Sequence, residues 1–205
     1  MLRVENSGNN NIVKIENESK INGRLVIKGD NNDVLIHLSS GDALDIYIEG
    51  DFNSLYLDGS RIGRLRAILK NSGEIEIDEQ TTIEEAYILA DSMPVKIGKD
   101  CMLSFQVQLR TTDAHGIYDL KEGVLLNPPQ EIIIKDHVWV GQGVLISKGT
   151  IIESDSVIGA RSFLQKDIIP ANSIAAGSPA RIIRKEVTWR RDMHSINKNH
   201  DESLS

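Results

Sequence analysis

Residues Thr111 to Asp119 read TTDAHGIYD and set an imidazole, His115, between the small residues Ala114 and Gly116, with carboxylates nearby at Asp113 and Asp119. A neutral imidazole can take the proton of an alcohol while that oxygen attacks a thioester carbonyl, and then hand it to the departing thiolate; no covalent acyl-enzyme is needed. Asp113 or Asp119 can fix the ring tautomer by accepting the other N–H, or can hold a substrate hydroxyl, and the residues alone leave both roles open. By composition alone, His115 also reads as an ordinary surface histidine of a polar loop.

Other chemistries find less support. The single cysteine, Cys101, can form no internal disulfide and belongs to no metal-binding cluster, so it reads as a small buried residue. The five histidines, His37, His115, His137, His194 and His200, include no pair five residues apart, which disfavours the three-histidine zinc site of a γ-class carbonic anhydrase. A formal net charge of −7 disfavours nucleic acid and anionic membrane surfaces as partners. No apolar run reaches the ~18 residues of a membrane span, and the N-terminus lacks a signal-peptide core, so a cytoplasmic protein without membrane insertion is expected.

The elements that must position His115 show themselves through a repeat. Stepping by six from Ile134 gives Val140, Ile146, Ile152, Ile158 and Leu164, all branched aliphatics. Four residues after each anchor stand Val138, Val144, Thr150, Ser156, Ser162 and Ile168, all small or β-branched, and the same frame runs upstream through Ile97, Leu103 and Leu109. No α-helix keeps residues six apart on one face, whereas three six-residue sides per turn put every anchor inside a triangular prism. Cys101, a fourth-after residue, should therefore point inward. An aromatic content of only 4% suits such a core of Ile, Val and Leu.

Four looser segments begin at Ile27, Ile48, Ile68 and Ile88, at steps of 21, 20 and 20 residues, and read as longer coils with Gly/Asn/Asp corners. A meander of hairpins would show similar spacing. Such extra coils can lengthen the prism for gripping a polymer. Ile134 follows Leu109 at a step of 25 residues, about seven more than one coil, so a loop must leave the prism there. The expected organisation is N-terminal coils over 1–93, a hexapeptide-repeat β-helix over 94–184 with its loop at 110–131, and 185–205 as a cap helix and disordered tail. The final coil should close through AAGSPARII, Ala175 to Ile183.

Lys135 to Ile183, with the motif Asp136-His137-Val138-Trp139-Val140-Gly141, closely resembles the hexapeptide-repeat acetyltransferases of the galactoside, maltose and capsular-polysaccharide O-acetyltransferase group. Including the His115 loop, the resemblance reaches back to Ile97, whereas Met1 to about Ser92 has no counterpart in it. It implies an all-β, left-handed parallel β-helix and acetyl transfer from acetyl-CoA, without metal, to a hydroxyl of a sugar or surface polysaccharide. His115 matches the loop base, and Trp139 matches a tryptophan lining the site, although Trp139 also reads as an outward coil residue. The backbone N–H of Gly141 is a candidate oxyanion donor, able to contribute ~3 kcal/mol.

The resemblance further places the CoA arm between adjacent solenoids, with room for pantetheine at Ala160 and with Lys166, Arg181 and Arg184 clustered for the adenosine phosphates. Those three also read as a solvated basic edge. Gln142 and Gln165 stand where the family commonly has a serine and a threonine, which alters the details of CoA contact. A homotrimer with a site at each subunit interface is implied. The rival readings are a sugar-nucleotide or other small-molecule acyltransferase on the same fold and a non-catalytic carbohydrate-binding solenoid.

Overall fold

The computed structural model describes residues 1–193. Its strands form two sheets in which almost every pairing is parallel and joins one coil to the next, which is a β-solenoid and rules out the meander of hairpins. The third face of the prism is an eight-stranded sheet running from Ile12–Glu16 to Ile168–Ile169. The other two faces belong to a 13-stranded sheet. In the N-terminal half each of its long strands, such as Arg61–Lys70 and Thr82–Asp91, bends across both faces. Thr82–Asp91 pairs with two separate strands of the following coil, Met102–Leu103 and Val107–Arg110, and from there on the two faces are distinct.

One column shows how the sequence dictates this stack. Leu25, Ile46, Ala67, Ile88 and Leu109 are ladder partners at steps of 21 residues, and the column continues to Ile146 and Leu164. All seven are fully buried, and burial of each aliphatic among them contributes roughly 1.5–3 kcal/mol. The six-residue anchors from Ile134 to Leu164 are buried as well, as is Cys101. Ile168 departs from the frame: it is exposed, and Ile169 takes the inward place, because the last register step shortens to pair Ile151 with Ile168 and Ile152 with Ile169.

The longer N-terminal corners have their own internal support. Asn32 and Asn53 are buried at successive corners, and each accepts or donates along a ladder: the Asn32 N–H donates to Asn11 Oδ1 (2.8 Å), the Asn53 N–H to Asn32 Oδ1 (2.8 Å) and the Gly73 N–H to Asn53 Oδ1 (2.9 Å). Each bond contributes about 1 kcal/mol and satisfies an amide that would otherwise be orphaned.

Two expectations need correction. Leu109 and Ile134 lie on consecutive sides of one coil, a step that takes six residues elsewhere, as from Ile146 to Ile152; the excursion therefore holds nineteen extra residues, not seven. The register step across it, Leu109 to Ile146, is 37, against 18 from Ile146 to Leu164.

The C-terminal segment is also different. Ser173–Gly177 continues the parallel ladder from Val157–Ile158, closing the last coil as expected, and then turns back as an antiparallel hairpin with Ala180–Lys185 that ends the solenoid. Beyond it, residues 186–193 are extended, and there is no α-helix among the described residues. The remainder of the expected cap helix and the expected disordered tail lie outside the described residues.

The segment 186–193 works as a strap along one corner of the prism. That corner is a column of left-handed residues, Gln80, Asp100, His137, Asp155 and Asn172. Val187 N–H donates to Asn172 O (3.0 Å), Trp189 Nε1 to His137 O (2.8 Å), and the Arg191 guanidinium to Asp100 Oδ1, Thr82 Oγ1 and the carbonyls of Gln80 and Cys101. Trp189 is buried and stacks on the His137 ring at 4.4 Å, while His137 Nδ1 bonds Asp155 Oδ1 at 2.8 Å.

Burial pushes the Cys101 thiol up to about 12. Alkylating reagent at mildly alkaline pH is expected to leave Cys101 unmodified in the native protein and to label it fully in concentrated denaturant, as read by intact mass; native labelling at the rate of a free thiol would show an open prism.

Candidate active site

The excursion after Arg110 is folded, not loose. Its distal half is a small hairpin in which Asp119 N–H donates to Val124 O (2.8 Å) and Leu126 N–H to Ile117 O (2.7 Å). At its tip, Asp119 Oδ1 accepts the N–H groups of Lys121 and Glu122, both at 2.8 Å, and these bonds, that from Glu122 first, hold its carboxyl below the usual carboxylate range. The apolar side chains of the hairpin, Ile117, Tyr118, Leu120, Val124 and Leu126, are all exposed, Leu120 at 99%.

The stem of the excursion is held by a buried cation. Lys148, only 1% exposed, reaches from the corner after Leu145–Ser147 to Asp113 Oδ2 and to the carbonyl of Asn127 (2.8 Å). Asn127 in turn donates from Nδ2 to Asp113 Oδ2 (2.8 Å) and to the carbonyl of His115 (2.9 Å), and accepts the Ile117 N–H at Oδ1 (2.6 Å). A buried ammonium is tolerated only when paired and hydrogen-bonded, and both conditions are met here. The Lys148 hydrogen bond is the largest cause of a lowered Asp113 pKa.

His115 is thus fixed through its own backbone while its side chain stays exposed, and among the described residues the imidazole has no hydrogen-bond partner. Of the two roles left open for Asp113, ring orientation is not seen within the chain: its carboxylate is held by Lys148 and Asn127. Asp119 does not orient it either. Lys148 and Asn127 escaped sequence reasoning. The signal for the first was a lysine inside an otherwise aliphatic repeat; the second sat in an Asn-Pro-Pro run that reads only as a break.

Trp139 is an outward residue of Trp139–Val140, 39% exposed, with its ring 6.1 Å from that of Trp189. It lies on the face of Met102–Leu103 and Val157–Ile158, whereas the excursion leaves from Val107–Arg110 on the adjoining face, so one chain does not stack Trp139 on His115. Gly141 does not serve as an oxyanion donor: its N–H already donates to Ile158 O at 2.8 Å in the coil-to-coil ladder. The glycine is required for another reason, since a Cβ there would stand 2.7 Å from Ala160 N and 2.8 Å from Ile158 O.

Ala160 is exposed. Lys166 occupies the corner after Phe163–Leu164, and Arg181 and Arg184 lie on Ala180–Lys185, against a strand of a different face; all three are exposed. Among the described residues none of them makes an ion pair, and Arg181 Nη1 donates to the carbonyl of Ala180 (2.7 Å).

A parallel solenoid of six-residue sides, interrupted once by a histidine-bearing arm, defines the class of β-helix acyltransferases. Comparison with known proteins narrows this. The chain is 33% identical over 207 residues to a polysialic acid O-acetyltransferase of Neisseria meningitidis, covering 97% of the chain and 94% of that protein. A crystal structure of a polysialic acid O-acetyltransferase superposes with a TM-score of 0.86 at 30% identity, covering 100% of this chain and 98% of the other. The galactoside O-acetyltransferase of Escherichia coli K12 is 38% identical over 113 residues, covering 55% of the chain and 53% of the relative. No protein-family model matches the chain. The chain belongs to the hexapeptide-repeat, left-handed β-helix O-acetyltransferases.

Replacing Lys148 by Met leaves Asp113 and the Asn127 carbonyl without their cation. The expected cost, discounted because Asp113 is 36% exposed, is about 1–3 kcal/mol, read as a lower Tm and faster proteolysis within 112–127. Asp113 has a lowered pKa in the fold, so its contribution is full above the ordinary aspartate range near ~4 and is lost as pH falls below it. The Tm difference between wild type and Asp113→Asn should accordingly close in acid; a difference that widened there would contradict the assignment.

Proposed function

We propose that the protein transfers the acetyl group of acetyl-CoA to a hydroxyl of an acidic surface polysaccharide, a sialic acid polymer being the acceptor class that the names of its full-length relatives state. The observation that carries this reading is the extent of the match: it includes the N-terminal coils, which the galactoside enzyme's 113 matched residues leave largely unaccounted for. Acetyl-CoA supplies a thioester carbonyl open to attack and a thiol that leaves.

The chain's own part is proton handling and positioning. His115, presented on an anchored arm with its ring unengaged, takes the acceptor's hydroxyl proton as the oxygen attacks and returns it to the leaving sulfur. Trp139 offers a flat surface for the sugar or the acyl donor. Exposed Ala160 leaves room beside the coil, and Lys166, Arg181 and Arg184 offer charge to the donor's phosphates.

The working unit is a closed homotrimer. A hairpin carrying exposed Ile117, Tyr118, Leu120, Val124 and Leu126 is suited to docking on a second copy, and such docking would bring His115 of one chain towards the Trp139 face of its neighbour. The reaction belongs in the cytoplasm, where CoA thioesters are made.

His115→Ala is expected to lower acetyl transfer to a sialic acid polymer by at least ~100-fold while CoA binding measured by calorimetry is retained. Free-thiol release reports the rate, and wild-type turnover in the variant would end the proposal.

A further inference from the structure

At the stem of the arm lies a depression of about 260 Å³ whose charged lining groups are Arg110 and Asp113. Asp113 is held by the Lys148 ammonium and attracts Arg110 only at longer range, so the Arg110 guanidinium lacks a paired carboxylate in a protein whose net charge is −7. Among the described residues it makes no ion pair, and its Nε is buried with no hydrogen-bond partner. An unsatisfied buried guanidinium N–H is costly, and the planar pair of Nη donors beyond it is suited to a carboxylate.

The rest of the lining suits a sugar. Thr112 and Ser147 supply hydroxyl groups for ring substituents, and Leu145 and Phe163 supply an apolar floor. A second depression, of about 360 Å³, has Arg64 and Arg66 in its lining with Tyr87 and Gln108, and also the carboxylates of Asp45 and Glu85. Gln108 precedes Arg110 by two residues on the same strand, which separates the two depressions by roughly 7 Å. Arg64 makes no ion pair among the described residues, and the Arg66–Asp45 pair is long, at 3.8 Å, and exposed.

We propose that Arg110 is a carboxylate subsite for the acceptor and that, with Arg64 and Arg66 beside it, it forms a track on which an acidic polysaccharide lies next to the His115 arm. This rests on the acetyltransferase reading above and names the group by which that site selects its substrate.

The test measures binding by calorimetry to the full chain, using a short sialic acid oligomer, the same oligomer with its carboxylates reduced to alcohols, and CoA. Arg110→Gln should weaken the acidic oligomer roughly 10- to 100-fold, with the Tm, CoA affinity and the feeble binding of the reduced oligomer unchanged. If Arg110→Gln lowers the Tm, Arg110→Lys is read in its place; keeping the charge but losing the fork, it should still weaken the acidic oligomer several-fold.

The inference falls if wild type binds both oligomers alike, if the variant weakens both alike, or if CoA affinity drops with it, which would assign Arg110 to the donor's phosphates. Binding of the acidic oligomer through Arg110 without any acetylation would overturn the acyl-transfer reading and support this one.

Discussion

Backbone hydrogen bonds running from coil to coil fix where every outward side chain can stand, because each strand is held by the ones before and after it at ~4.8 Å. That constraint decides what the functional residues are free to do. The Gly141 N–H is consumed by the ladder to Ile158, so oxyanion stabilisation cannot come from it. Trp139 must point outward because Val138 and Val140 point inward. A regular prism supplies flat faces, and among the described residues the excursion after Arg110 is where the chain departs furthest from the ladder.

The arm solves the problem of holding a reactive group off a smooth surface. A nineteen-residue excursion with exposed ends would be too mobile to place an imidazole, but here its stem closes on Lys148. Removing an ammonium from water is costly, and that cost makes the anchor specific: the ion is satisfied only when Asp113 and the Asn127 carbonyl arrive together. His115 inherits this geometry through its carbonyl, held by Asn127, and its exposed ring makes no hydrogen bond among the described residues.

Much of the architecture was legible because aliphatic residues at every sixth position have one economical arrangement. The inward place of Cys101 followed from the same frame. The arm's existence was legible and its length was not, since Leu109 and Ile134 were counted a coil apart when they are a side apart. At 185–193, Val187 and Trp189 fit a helix face weakly and an extended chain better: alternate residues, with Arg191 as the third, turn toward the prism. Asp113 was found with its role left open, and its partner, Lys148, was not foreseen because it is 35 residues away in sequence and carries no motif.

A stack of repeats ordinarily frays one layer at a time from its open end, each layer being held only by the next. The strap changes that order. Between Asn172 and Gln80 it buckles the last layers to ones laid down about ninety residues earlier, through Trp189 on His137 and Arg191 on Asp100 and Cys101. The outermost layers cannot detach singly while the buckle is fastened; once it opens, the layers beneath lose their tie together. The part of the molecule bearing the arm therefore melts as one cooperative block instead of unravelling from its tip.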